Sequence, residues 1–186
     1  MKKTALCILI LIACTLISIG TLTAASVFGD EPVPQLGPKP GDLFRQSHWR
    51  PDGKWQRVTW PDATEPGALE FLPNAVNSIT ATDLEGAIRA ETTIQVLLCH
   101  AGTVDKKIRF NGGQWLDIPE AAEIPGSSGQ GGPTEAYQSM CYPTVPVPLD
   151  MLREGENTFE FTAGSGFGLG KKWPQWIVYG MTLRIY

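Results

Sequence analysis

The chain of 186 residues carries 15 basic and 19 acidic side chains, a net charge of −4 at pH 7. That length suits one domain plus a leader, since single domains commonly run to about 100–200 residues. The acidic balance, with no basic cluster after Lys2-Lys3 beyond Lys106-Lys107 and Lys171-Lys172, argues against nucleic acid as a partner.

Met1-Lys2-Lys3 is a short basic start, and residues 4–28 contain no charged side chain. This pattern predicts that residues 1–29 are a signal peptide or a membrane anchor, so the protein is expected to be exported. Small residues at Thr23-Ala24-Ala25 and around Gly29 suit cleavage, while the apolar run is also long enough to span a bilayer, for which about 20 residues suffice. Secreted, periplasmic and tethered forms all remain open. Leu11-Ile12-Ala13-Cys14 resembles a bacterial lipobox, but the apolar run continues to Leu22, whereas a lipidated chain turns polar soon after its cysteine. Without Lys2 and Lys3 the balance is 13 basic against 19 acidic, a net of −6.

Residues 30–43 read as a linker, with Pro32, Pro34, Pro38 and Pro40 favouring an extended, semi-rigid spacer. Residues 44–186 form the expected domain, and its main signal is alternation of apolar and polar side chains. Weaker strands are expected near residues 55–60, 68–71 and 76–81. Residues 88–98 place Ile88, Ala90, Thr92, Ile94, Val96 and Leu98 on one face, with Arg89, Glu91, Thr93 and Gln95 toward water. Ile108 and Phe110 point inward from residues 107–110, Asn111-Gly112-Gly113 turns the chain, and residues 115–118 return.

Pro146 and Pro148 share parity, so a strand over residues 144–149 lacks donors on one side and belongs at a sheet edge. Residues 149–154 read as one helical turn stopped by Gly155. Phe159 and Phe161 face inward from residues 157–162, and the last strand sets Ile177, Tyr179, Met181, Leu183 and Ile185 on one face. Many short antiparallel strands with turn-rich joins predict an all-β sandwich. Trp60 and Trp115 are assigned to its packing.

Arg109-Phe110-Asn111-Gly112, then the run from Pro148-Leu149 through Gly155-Glu156-Asn157-Thr158-Phe159, then the alternating terminal strand, resemble galactose-binding-like jelly-roll domains. Such domains are often appended to secreted bacterial glycoside hydrolases. The resemblance spans residues 83–186 and implies an antiparallel jelly-roll sandwich, with glycine allowing a sharp approach to the strand and asparagine bonding the loop's own backbone. His48-Trp49-Arg50-Pro51-Asp52-Gly53-Lys54-Trp55 is also similar to the front of secreted proteins of planctomycete type. Binding residues vary within the jelly-roll family, so no site is carried over by motif, and fold alone licenses only an analogy about function.

Strand order suggests where a site would lie. If residues 88–98 run upward, the connections 99–106, 119–142 and 163–175 share the upper end. They collect His100, Tyr137, Tyr142, Trp173, Gln175 and Trp176, a set of aromatic faces and hydroxyl-binding groups suited to sugar. Cys99 and Cys141 reach the same end and are an expected disulfide in an exported chain. Catalytic signatures are missing: Gly126-Ser127-Ser128-Gly129-Gln130 breaks the nucleophile-elbow pattern, and the glycine-rich residues 164–172 lack phosphate-loop spacing. His48 and His100 show no zinc spacing. Asp83 with Glu85, and Glu154 with Glu156, sit at turns as solvated charge.

The expectation is a non-catalytic module that binds polysaccharide or glycan and needs no cofactor, with a structural calcium left open. An envelope structural or protein-interaction domain is the alternative, and an unrecognised carbohydrate-active hydrolase a weaker one.

Overall fold

A computed structural model describes residues 36–97, 103–119, 140–165 and 173–186. They belong to one compact unit, Gln35–Tyr186, whose first residues come from the proline-rich stretch. The chain is an all-β sandwich of two antiparallel sheets. In the first sheet β1 (Arg45–Trp49) and β2 (Gln56–Thr59) both pair with β10 (Gln175–Ile185). On the other side of β10 lies β4 (Ala90–Leu97), which carries β7 (Met140–Cys141) and β8 (Thr144–Val147) at its far edge. The second sheet runs β3 (Val76–Ala81), β9 (Gly155–Ser165), β5 (Thr103–Phe110), β6 (Leu116–Asp117). The chain passes repeatedly from one sheet to the other, as the expected jelly roll requires.

Alternation explains the layers. β4 buries Thr92, Ile94 and Val96, while β9 buries Phe159, Phe161 and Ala163. Phe161 and Trp176 meet edge to face across the two sheets, with ring centroids 5.4 Å apart, and Trp49 meets Phe159 in the same way at 5.1 Å. Such perpendicular pairs suit the ring quadrupoles and add to the area that the rings bury. The expected edge strand with Pro146 is β8, bonded to β4. The turn after Phe110 is tight: Asn111 and Gly112 take φ of 51° and 71°, and Gly113 N–H donates to the Phe110 carbonyl at 2.8 Å. Positive φ at both central residues matches the twist of the flanking strands.

Several expectations change. In β10 the pairing with β4 shifts by one residue between Val178 and Gly180. Trp176 and Val178 therefore face the core before the bulge, and Met181, Leu183 and Ile185 after it, so Ile177 and Tyr179 leave the expected inward face. An extra residue in one strand reverses which parity points inward. Residues 68–71 lie in a 3₁₀ turn, Pro66–Phe71, because Pro66 fixes its first φ and only Ala68 is buried. Ile88 precedes β4 and is exposed, while Glu91, expected in water, is 1% exposed. Its oxygens accept from Gly37 N–H at 2.8 Å and Tyr186 O–H at 2.7 Å, and Arg89 and Arg184 lie within ion-pair distance. Arg89 also bonds Asp42 at 2.7 Å, so the end of the proline-rich stretch is pinned to the sandwich. Residues 149–154 contain the expected turn as a short 3₁₀ segment, Leu149–Met151. Trp115 is 36% exposed and lies under the Arg109 guanidinium, 4.4 Å from its ring centroid, on the surface instead of in the core.

Candidate functional site

A recess among the described residues follows from how β1 gives way to β2. Both strands pair with β10, β1 ending at Trp49 opposite Met181 and β2 beginning at Gln56 opposite Val178. The bulge of β10 falls between those two pairings. Residues 50–55 leave the sheet there, and the 3₁₀ turn and the start of β3 face them across a groove of about 450 Å³. Its walls include Trp55, Gln56, Arg57, Glu70, Phe71 and Asn77.

Trp55 is 39% exposed, leaving part of a large ring open to the groove. The Arg57 guanidinium lies 4.5 Å from the Phe71 ring centroid, 5.4 Å from that of Trp55 and 5.1 Å from that of Trp173. Cation–π attraction over three rings holds a charged group where the chain alone would leave it mobile. Thr59, next but one to Arg57, is held on several sides: Asn74 bonds both its N–H and its carbonyl at 2.8 Å, and Trp173 Nε1 donates to its hydroxyl at 3.4 Å. Gly67 packs beneath Trp173, where an added Cβ would lie 3.1 Å from the ring and make it give way. The arrangement offers ring faces for sugar C–H groups, with amides, a guanidinium and carboxylates for hydroxyls.

The expected site residues divide. Trp173 is half-buried and supports the groove from behind, against Phe71 and Arg57. Trp176 is fully buried and its Nε1 donates to the Thr162 carbonyl at 3.3 Å, so it offers no stacking face to a ligand. Gln175 is buried, and its N–H donates to the Thr103 hydroxyl at 3.0 Å. Tyr142 is 61% exposed and borders a smaller recess of about 220 Å³ on the outer face of the first sheet, with His48, Gln95 and Thr182. His100 and Tyr137 lie outside the described residues. The described ends of the three upper connections do converge: Leu97 pairs with Met140 and Ile177, and Thr103 pairs with Ser165. Cys141 is half-buried opposite Val96, no disulfide occurs among the described residues, and Cys99 lies outside them.

Trp55 and Arg57 were missed because the ring they meet, Phe71, lies in a separate segment, and no spacing links it to them. The available signal was the Pro51-Asp52-Gly53 turn beside a tryptophan. Among the turn carboxylates, Glu154 accepts from Asp83 N–H and Leu84 N–H at 3.1 Å each, and Asp83 pairs with Arg45. Those two side chains fasten turns. Among the described residues no group of three or more His, Cys, Asp or Glu side chains could hold a metal ion, and no helix is long and apolar enough to cross a membrane.

No protein-family model matches the chain, and no curated protein matches it. Among solved structures it is similar to a β-porphyranase of glycoside hydrolase family 86 from Bacteroides plebeius, with 12% identity over 76% of this chain and a TM-score of 0.45. A family 86 protein solved with neoagarooctaose gives 13% identity over 76% of this chain and the same TM-score of 0.45. A CBM35 from Cellvibrio japonicus gives 17% identity, 58% of this chain against 62% of that one, and a TM-score of 0.37. This chain spans about a fifth of the length of the two hydrolase chains, 20% and 19%.

Proposed function

We propose that the sandwich is a non-catalytic glycan-binding module of an exported protein, and that the groove between β2 and the 3₁₀ turn is where it binds. The observation that carries this reading is the open ring of Trp55 beside Arg57, Gln56 and Asn77 in a recess of about 450 Å³. A sugar presents apolar C–H faces and a rim of hydroxyls. A partly exposed aromatic ring flanked by donors and acceptors meets both at once, on a scaffold held rigid by the sheets. Tyr142, on the outer face of the same sheet, is a second contact for a long glycan.

Polysaccharide affinity electrophoresis of the purified protein tests the reading. Trp55→Ala is expected to weaken retardation at least tenfold, about 1.4 kcal/mol, with the melting temperature nearly unchanged. If no polysaccharide retards the wild-type protein, or if Trp55→Ala binds as well as wild type, the groove is not a glycan site.

A further inference from the structure

Two donors in the wall of the groove have nothing to bond. Gln56 Nε2 and Arg57 Nε are both buried and without a hydrogen-bond partner. Nearly all buried polar groups in folded proteins are bonded, so two neighbouring orphans lining one recess ask for an acceptor. Arg57 also differs from the other half-buried arginines. Arg89 pairs with Asp42 and Glu91, Arg109 with Glu160, and Arg184 with Glu91. Arg109 and Arg184 also have a buried, unbonded Nε, but their charge is met by a carboxylate. No acidic side chain among the described residues forms an ion pair with Arg57.

From these orphans we infer that the groove takes an acidic glycan, one bearing a carboxylate or a sulfate ester, and seats the oxyanion on Arg57 and Gln56. This inference rests on the glycan reading above and names the chemistry of its ligand. Three aromatic rings lie within 5.4 Å of the guanidinium carbon, and its buried Nε has no partner, which leaves the planar edge of N–H groups to take one. That edge matches the spacing of two oxygens on a carboxylate or sulfate, and a charged acceptor bonds more strongly than a hydroxyl. The Gln56 amide adds a further donor from the adjacent residue. Asp52 and Glu70 also border the groove, but both are exposed, where water and salt weaken their repulsion and leave them free to accept from sugar hydroxyls. The chain's overall charge of −4 works against indiscriminate adsorption to polyanions, so retention of one reports a specific seat.

Matched polymers separate the cases. Dextran sulfate is compared with neutral dextran, and polygalacturonate with its methyl ester, by affinity electrophoresis against wild type, Arg57→Gln, Arg57→Lys and Trp55→Ala. At least one acidic member is expected to bind at least tenfold more tightly than its neutral counterpart, and which pair shows it tells sulfate from carboxylate. Arg57→Gln is expected to abolish that preference, Arg57→Lys to keep part of it, and raised salt to reduce it. Melting temperatures of both Arg57 variants confirm that the fold persists. Should Trp55→Ala lose binding while Arg57→Gln keeps equal affinity for acidic and neutral members, the acidic ligand is wrong and the glycan site stands. Failure of every polymer to bind would overturn both.

Discussion

Asn111 Nδ2 donates to Asn157 Oδ1 at 2.8 Å, tying the tight turn after β5 to the first residues of β9. Asn157 is fully buried, and its oxygen also accepts from Arg153 N–H while its nitrogen donates to the carbonyls of Arg153 and Gly155. Asn111 in turn bonds the Met151 carbonyl and accepts from Thr158 N–H. Two sequence fragments 46 positions apart thus form one network at the lower end of the sandwich.

Asn157→Ala is expected to destabilise the protein by about 2–4 kcal/mol, because several buried partners lose their bonds together. Urea unfolding checks this, with exposed Glu156→Ala as the neutral comparison. A loss for Asn157→Ala below about 1 kcal/mol would mean that water replaces the side chain.

The tryptophans separate by environment. Trp176→Ala removes a fully buried ring that bridges the sheets and is expected to cost about 3–5 kcal/mol. Trp115→Ala removes a ring at the surface whose main partner is Arg109, and about 1 kcal/mol or less is expected. Thermal melts of the two variants, side by side, would show the contrast, and equal losses would contradict it.

What the sequence made legible was local and periodic. β3 was expected over its full observed span, Ile108, Phe110, Phe159 and Phe161 were placed inward, and the Asn111-Gly112 turn was read from its residues alone. The last strand was misread before its bulge, at Ile177 and Tyr179, because an added residue leaves the pattern plausible on both parities until the pairing is seen. β1 was missed as well: its run Arg-Gln-Ser-His-Trp shows little apolar alternation, and pairing with β10 makes it a strand. The groove was illegible for a related reason. Arg57, Phe71 and Trp173 come from three separate segments, and no spacing in the chain announces that their side chains meet.

Gly180 lies at the bulge where β10 runs close to β1. A Cβ there would come within 3.1 Å of the Trp49 carbonyl oxygen, a backbone atom that cannot swing aside. Gly180→Val is therefore expected to cost about 1–3 kcal/mol by overpacking. Because Trp49 borders the groove, the change should also lower glycan affinity in the fraction that stays folded. Denaturant titration followed by binding under native conditions would check both, and an unchanged midpoint would show that β1 yields.

Glu91 and Tyr186 give a stability contribution with a defined pH window. The Tyr186 hydroxyl donates to Glu91 at 2.7 Å, and burial, followed by the Glu91 bond and charge, pushes the phenol up to about 12. A phenol whose folded value lies above its ordinary value of 10.0 favours folding fully below that value. Its contribution disappears as pH rises through about 12, where the folded protein also gives up the proton. Ultraviolet titration should find a late-ionising tyrosine, and Tyr186→Phe should remove that late step. Glu91→Ala is the more severe change, since it leaves Arg184 and Arg89 without a buried carboxylate and frees Gly37 N–H. A loss of about 3–5 kcal/mol is expected, together with faster proteolysis within residues 36–43. Asp42→Asn separates the two effects: it weakens the hold of Arg89 on this segment while Glu91 keeps its partners in the sandwich, so proteolysis should quicken with little change in melting temperature. If Asp42→Asn were cut no faster than wild type, the hold on this segment would not depend on its contact with Arg89.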